Sequence, residues 1–248
     1  MNIPMKFIVD MLVNVVRYQS ASDILVSWFL VKINLIFMKI FRLKCYYLTY
    51  NNYFLILAPF KLEQLYIDPD VNMVHDVMND NEIQHFIDEG KRNMTRATDI
   101  NTNQNMMYRI AKIAWFDPSH SDIMNRVSKR MAHFSGCDMT RAEALQICNY
   151  GIGGHYVAHY DLDLKSKLNA NGNGNRYATV LVYLSDVASG GATVFIKLGI
   201  TVPVKKGAAI FWRNLLPTGE GDLKTLHAAC PVILGNKWGK SFTFIRLP

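Results

Sequence analysis

The sequence has few cysteines, no long uninterrupted apolar run, no phosphate-binding glycine pattern and no internal repeat, and each absence removes a class of protein. Its four cysteines, Cys45, Cys137, Cys148 and Cys230, include no C-x-x-C pair, which argues against a zinc ribbon or a thioredoxin-like dithiol. Gly151, Gly153 and Gly154 lack the spacing and context of a nucleotide-binding loop. The apolar head, "DILVSWFLVKINLIFMKIF", is broken by Lys32, Asn34 and Lys39. A spanning helix needs about 20 apolar residues, and a central lysine opposes insertion by roughly 2.5–3.5 kcal/mol. Asp10 and Asp23 precede the run and no clear small-residue cleavage site follows it, so it is equally poor as a signal peptide. Residues 1–42 are read as an atypical apolar leader, with a membrane anchor as the alternative.

A basic body is missing too. The net charge of +7 comes from 27 basic and 20 acidic residues, but six basic residues and only two acidic ones precede Cys45. More than half of the excess therefore lies in the head, and the body offers an ordinary solvated surface rather than a nucleic-acid footprint. No nucleic-acid partner is expected. Asn93-Met94-Thr95 is an N-glycosylation acceptor, usable only in a secretory lumen.

What is present is half hydrophobic by residue count, enough for a sizeable core. "NDNEIQHFIDEGKRN" opens on Asn79 with Glu82 three residues later, a capping box, and carries Ile83, Phe86 and Ile87 at helical spacing before Gly90 as a stop. "SDIMNRVSKRMAHFSG" predicts a second helix with Ile123, Val127, Met131 and Phe134 on one face and Gly136 at its end. After Leu145 come short β-rich runs, "LQICNY", "HYVAHYD", "YATVLVYLSD", "ATVFI", "ITVPV", "AAIFW", "HAACPVIL" and "FTFIRL". Their turn-separated spacing predicts an antiparallel sandwich or barrel.

Two H-x-D triplets stand in different contexts. His120-Ser121-Asp122 begins the second helix, where residues two apart point apart, and reads as a capping segment. His159-Tyr160-Asp161 lies in a strand, where residues two apart share a face roughly 6.6–6.8 Å apart and both can reach one ion. The same period aligns His155 with that face, so geometry offers three candidates. The leading third ligand from elsewhere is His227. Two histidines and a carboxylate leave coordination positions open, as in non-haem Fe(II) oxygenases, with zinc the second choice. Lys237, ten residues after His227, would offer a point charge to an anionic co-substrate. His75, His85, His133 and His155 read as surface or packing residues, and Tyr183 and Trp212 as core.

The segments "YGIGGHYVAHYD", "NRYATVLVYLSDVASGGATVF", "KKGAAIFW" and "GEGDLKTLHAACPVILGNKW" resemble the catalytic domain of the collagen-type prolyl 4-hydroxylase alpha subunit, with "LAPFKLEQLYIDP" extending the likeness upstream. The resemblance covers roughly Leu43 to Trp238. It implies a Fe(II)/2-oxoglutarate-dependent dioxygenase on a mainly β, double-stranded β-helix (jelly-roll) core with supporting helices, assigned to residues 43–248. It further implies that His159, Asp161 and His227 hold iron, Lys237 binds the distal carboxylate of 2-oxoglutarate, Tyr150 and Thr179 help to seat that co-substrate, and Tyr156 lies near the peptidyl proline. The implied reaction is 4-hydroxylation of peptidyl proline in procollagen-like substrates, releasing succinate and CO2, with L-ascorbate rescuing oxidised iron. The implied setting is the endoplasmic reticulum lumen, with protein disulfide isomerase as a partner subunit.

The head before Leu43 and the tail after "GNKW" depart from the family. The resemblance implies a terminal cysteine as partner for Cys230 and an upstream partner for Cys45, and neither is present. The alternative is a shortened, non-catalytic paralogue acting as a binding module or inactive remnant. It predicts poor folding, because the altered last strand would leave a sheet edge incompletely paired.

Overall fold

The computed structural model describes residues 42–49, 53–98, 107–164 and 174–246. The leader and anchor expectations for residues 1–42 fall almost wholly outside them. No helix among the described residues is long and apolar enough to cross a membrane.

In chain order the strands are Cys45–Leu48 (β1), Phe60–Tyr66 (β2), Val71–His75 (β3), Thr95–Arg96 (β4), Lys112–Phe116 (β5), Leu145–Tyr150 (β6), Tyr156–His159 (β7), Asn175–Tyr183 (β8), Ser189–Gly190 (β9), Thr193–Phe195 (β10), Ile200–Val202 (β11), Ala209–Arg213 (β12), His227–Ala229 (β13), Val232–Leu234 (β14) and Lys237–Arg246 (β15). They form a nine-stranded major sheet in the order β1-β2-β3-β12-β8-β15-β6-β5-β4, a four-stranded minor sheet β11-β10-β13-β7, and a β14-β9 pair. Every pairing is antiparallel. Val71, Met73, Tyr183, Ile210 and Trp212 of the major sheet share a buried cluster with Phe195 and Val202 of the minor one, so the two sheets face each other as a jelly roll requires.

Period two divides the major sheet cleanly. Ala178, Val180 and Val182 of β8, with Phe242 and Phe244 of β15, pack under the helices Asp80–Asn93 (α1) and Asp122–Ser135 (α2). Their neighbours Thr179 and Leu181, with Ser241 and Thr243, line a cavity of about 520 Å³ on the opposite face. Helix α1 starts as predicted: the Asn79 side chain accepts from the Glu82 N–H at 3.0 Å while Glu82 reaches back to the Asn79 N–H at 3.1 Å. Helix α2 is capped by Ser121 and ends at Gly136 in the left-handed region, φ 67°, so His120-Ser121-Asp122 is a capping segment. Trp212 and Tyr183 are buried core residues at 1% and 0% exposure.

Four expectations need correction. Gly90 does not stop α1, which runs three residues further; a Cβ there would stand 3.1 Å from Ile147 Cγ2 and 3.3 Å from the Trp238 ring, so the glycine lets helix approach sheet. The β structure begins a hundred residues before Leu145, with β1 to β3 extending the major sheet. "HAACPVIL" is two strands, split at Pro231, which lacks the N–H a ladder needs. Finally, β15 is no sheet edge: it lies between β8 and β6, paired with β6 over Lys237–Ser241 and with β8 from Gly239 to Arg246 through one register shift at Phe244/Ile245, so the last strand is not the edge expected of an inactive remnant.

Candidate active site

Strand β7 is where simple alternation fails. It pairs His159 with His227 and Tyr156 with Ala229, leaving two residues between the pairings on one strand against one on the other. That β-bulge turns Val157 and Ala158 both outward and leaves Tyr156 and His159 on one side. The two rings stack, 3.6 Å between centroids and 14° between planes. His155, by contrast, turns its Nδ1 back to the Gly153 carbonyl at 2.9 Å. The period-two alignment of His155 with His159 does not survive the bulge.

Past the end of β7 the chain brings Asp161 beside both imidazoles. Asp161 Oδ1 lies 3.6 Å from His159 Nε2 and 3.7 Å from His227 Nε2, and one ligand atom from each of the three residues falls within 4.8 Å of the others. Each imidazole Nδ1 meets a backbone carbonyl, His159 that of Val157 at 2.8 Å and His227 that of Thr225 at 3.0 Å. With Nδ1–H donating there, each ring presents an Nε2 lone pair to the centre. Burial lowers the His227 pKa, outweighing Asp161, and so favours the neutral ring. For Asp161, burial pushes upward, but His227 and His159, in so far as either ring takes a proton, and the Thr179 hydroxyl together hold the carboxyl well below its ordinary range.

Behind the carboxylate runs a chain of hydrogen bonds that fixes its angle. Trp212 Nε1 donates to Asn214 Oδ1 at 2.8 Å, Asn214 Nδ2 to Thr179 Oγ1 at 2.9 Å, and Thr179 Oγ1 to Asp161 Oδ2 at 2.7 Å. Thr179 lines the cavity as expected of a co-substrate neighbour, yet its hydroxyl proton is committed to the aspartate. Asn214, fully buried, was not legible as a site residue; its only sequence signal is a polar side chain two residues beyond a buried tryptophan.

Lys237 opens β15 directly across from Tyr150 of β6. It is 2% exposed, its Nζ donates to the Gly191 carbonyl at 2.6 Å, and Thr193 Oγ1 lies at 3.5 Å. No ion pair among the described residues neutralises it, and burial pushes its pKa down to about 8. Its ammonium stands 5.8 Å and 5.5 Å from the ring centres of Tyr150 and Tyr183. Tyr150 and Thr193 both line the cavity that His159, Asp161 and His227 share. A buried, flexible-stemmed cation without an acid beside an open three-donor cluster is arranged for a ligand that carries both a carboxylate and metal-binding oxygens. Tyr156, Arg109, Gln146, Glu143 and Arg176 also line the wall; all but Tyr156 were missed, since single polar residues scattered over β6, β8 and the segments beside them carry no spacing signal.

The sequence model of the 2OG-Fe(II) oxygenase superfamily matches residues 145–244, the span from β6 into β15 that holds the three-donor cluster and Lys237. Residues 145–244 are similar to a 2OG-Fe(II) oxygenase domain. The chain is 44% identical over 205 residues to the mouse prolyl 4-hydroxylase subunit alpha-1, covering 79% of this chain and 38% of that protein. It is 43% identical over 204 residues to the Caenorhabditis elegans prolyl 4-hydroxylase subunit alpha-2, again 79% and 38%. The chain thus spans less than half the length of these relatives. Among solved structures, the viral collagen prolyl hydroxylase of Paramecium bursaria Chlorella virus-1 aligns with a TM-score of 0.59 at 24% identity, over 72% of this chain and 96% of that one. A Pseudomonas putida prolyl-4-hydroxylase aligns at 0.51 and 16% identity, over 71% and 92%. These likenesses show the double-stranded β-helix fold. The donor set fits the superfamily's metal: two neutral imidazoles and one carboxylate oxygen converge from one side, the facial arrangement that suits non-haem Fe(II).

Proposed function

We propose that the chain 4-hydroxylates proline residues in peptides, using Fe(II), O2 and 2-oxoglutarate and releasing succinate and CO2. The observation that carries this reading is the convergence of His159 Nε2, Asp161 Oδ1 and His227 Nε2 beside a buried lysine that has no acid partner. When bound, Fe(II) with 2-oxoglutarate supplies the oxidation of an unactivated C–H bond: of the two atoms of O2, one enters prolyl C4–H and the other succinate.

The chain's own residues do the rest. His159, Asp161 and His227 would hold the metal, their angles set by the Val157 and Thr225 carbonyls and by Thr179. Lys237 would hold the distal carboxylate of 2-oxoglutarate, with Tyr150 as its cross-strand neighbour and Thr179 between it and the aspartate. Charge pairing in so buried a place is far stronger than in water, and the surrounding Leu181 and Trp212 exclude solvent. Tyr156, at the wall, would face the prolyl ring of a proline-containing peptide or procollagen chain.

Succinate release that depends on added Fe(II) and on a proline-rich peptide, with the peptide gaining the mass of one oxygen at proline, is the expected result. Equal turnover by a His159→Ala variant would sink the assignment. L-Ascorbate as the iron reductant, a protein disulfide isomerase subunit and an endoplasmic reticulum setting are the finer parts of the proposal. Exposure of Asn93 and Thr95 in the glycosylation acceptor is compatible with the last. More turnovers per chain with ascorbate, co-purification with the isomerase, and endoglycosidase-sensitive mobility on expression in a secretory cell test them in turn.

A further inference from the structure

Arg109 is a cation for which the described residues provide no acid. It lies on a segment that runs along the edge of β7: the Ile110 N–H donates to the His155 carbonyl at 2.8 Å, the Val157 N–H to the Tyr108 carbonyl at 2.9 Å, and Arg109 itself bridges Tyr156. From there the side chain crosses to the major sheet. Its Nη2 donates to Gln146 Oε1 on β6, and its guanidinium lies 4.7 Å from the centre of the Tyr156 ring. The Tyr150 phenol, on the same cavity wall, is electrostatically coupled to the guanidinium. The Nε is buried without an acceptor among the described residues.

A buried guanidinium with an unmet N–H destabilises a fold, so its placement calls for a function elsewhere. What it touches supplies one. Arg109, Tyr156 and His159 form a column, cation on phenol at 4.7 Å and phenol on imidazole at 3.6 Å, and Tyr150, the cross-strand neighbour of Lys237, lines the same cavity as Arg109. The Val157 carbonyl pins one atom of the His159 ring; the stack fixes the plane in which that ring lies.

We propose that Arg109 is a positioning residue: its planar fork clamps Tyr156 against the His159 imidazole and holds Tyr150 beside Lys237, so that one side chain orients a metal ligand and the 2-oxoglutarate wall together. The inference rests on the functional reading above. Lysine could not substitute, because an ammonium is a point charge without a fork or a stacking plane.

The test uses the purified full chain with Co(II) as a spectroscopic metal probe and 2-oxoglutarate affinity measured by calorimetry on the Co(II) form. Arg109→Met is expected to keep its far-ultraviolet dichroism, to shift the Co(II) ligand-field bands, and to weaken 2-oxoglutarate binding by about tenfold. Arg109→Lys should shift both in the same direction, and it carries the expectation alone if Arg109→Met does not fold. In a Tyr156→Leu background, Arg109→Met should cause no further change in the bands, since both act through one stack. Bands unchanged and affinity within about twofold in the folded variants would overturn this inference alone. A wild-type chain that binds neither Co(II) nor 2-oxoglutarate would overturn the functional reading with it.

Discussion

Two lysines three residues apart on β15 show what separates the two faces of the major sheet. Lys237 points to the cavity, where Gly191 and Thr193 offer oxygens. Lys240 points to the helices, where it is fully buried, 4.3 Å from the ring centres of Phe86 and Phe242, and its Nζ has no acceptor among the described residues. Burial lowers both pKa values, that of Lys237 to about 8 and that of Lys240 well below its ordinary value, with Arg130 depressing the latter in addition. The same residue type is therefore poised for a ligand on one face and stranded in a core on the other. Distance from the helices, not burial, distinguishes a site residue from a packing one.

The largest break in this contrast should come from Lys237→Ala. Removing one partner of a buried charge pair is expected to weaken 2-oxoglutarate affinity about a hundred- to a thousandfold, read by calorimetry, with the unfolding transition still cooperative because the helix-side core is untouched. Thr179→Val leaves the cavity's shape but cuts the bond to Asp161 Oδ2. It should lower metal affinity by about 10–100-fold, measured by competition with a chelating dye.

A pH series then sharpens the contrast. With its pKa near 8, Lys237 loses its proton as pH rises through that value, so binding of 2-oxoglutarate to the metal-loaded chain should fall about tenfold per unit above it. The sign for stability is opposite. Between about 8 and 10.5 the unfolded chain holds a proton at this lysine that the ligand-free folded chain does not. Its contribution makes stability rise with pH in that window, which chemical denaturation at several pH values would register. Lys240→Met should have the smallest effect on activity, within about twofold, while stabilising the fold by about 1–3 kcal/mol through loss of an unsatisfied buried amine. A destabilised Lys240→Met would mean that this lysine contributes something its surroundings do not show.

The legible parts of the molecule are those whose signal is local. Capping residues announce both helices, alternation from Leu145 onward announces β6, β8 and β12, and His227 and Lys237 join the site through the resemblance. Gly90 misled because a glycine that permits close approach looks the same in sequence as one that ends a helix. Strands β1 to β3 went unseen; they pair with one another, and only β3 reaches the rest of the sheet, through β12 more than a hundred residues away. Arg109, Gln146 and Asn214 are isolated in sequence and meet the site only through tertiary structure. The His159–Asp161 pair was found with a period-two rule that does not hold through β7, so that part of the reasoning reached two residues that the fold does bring together by geometry it does not use throughout.

The extra residue in β7 has a consequence for anyone who would transplant this site. A Tyr-x-x-His spacing that shares one face exists only while the strand is out of step with its neighbour. A designer who copies Tyr156 and His159 onto a regular strand would send the imidazole to the wrong side. Deleting either Val157 or Ala158, whose own side chains touch solvent, should cost the metal more than most substitutions inside the cavity. The most portable description of the site is accordingly a defect in a ladder, with the ligands as its passengers.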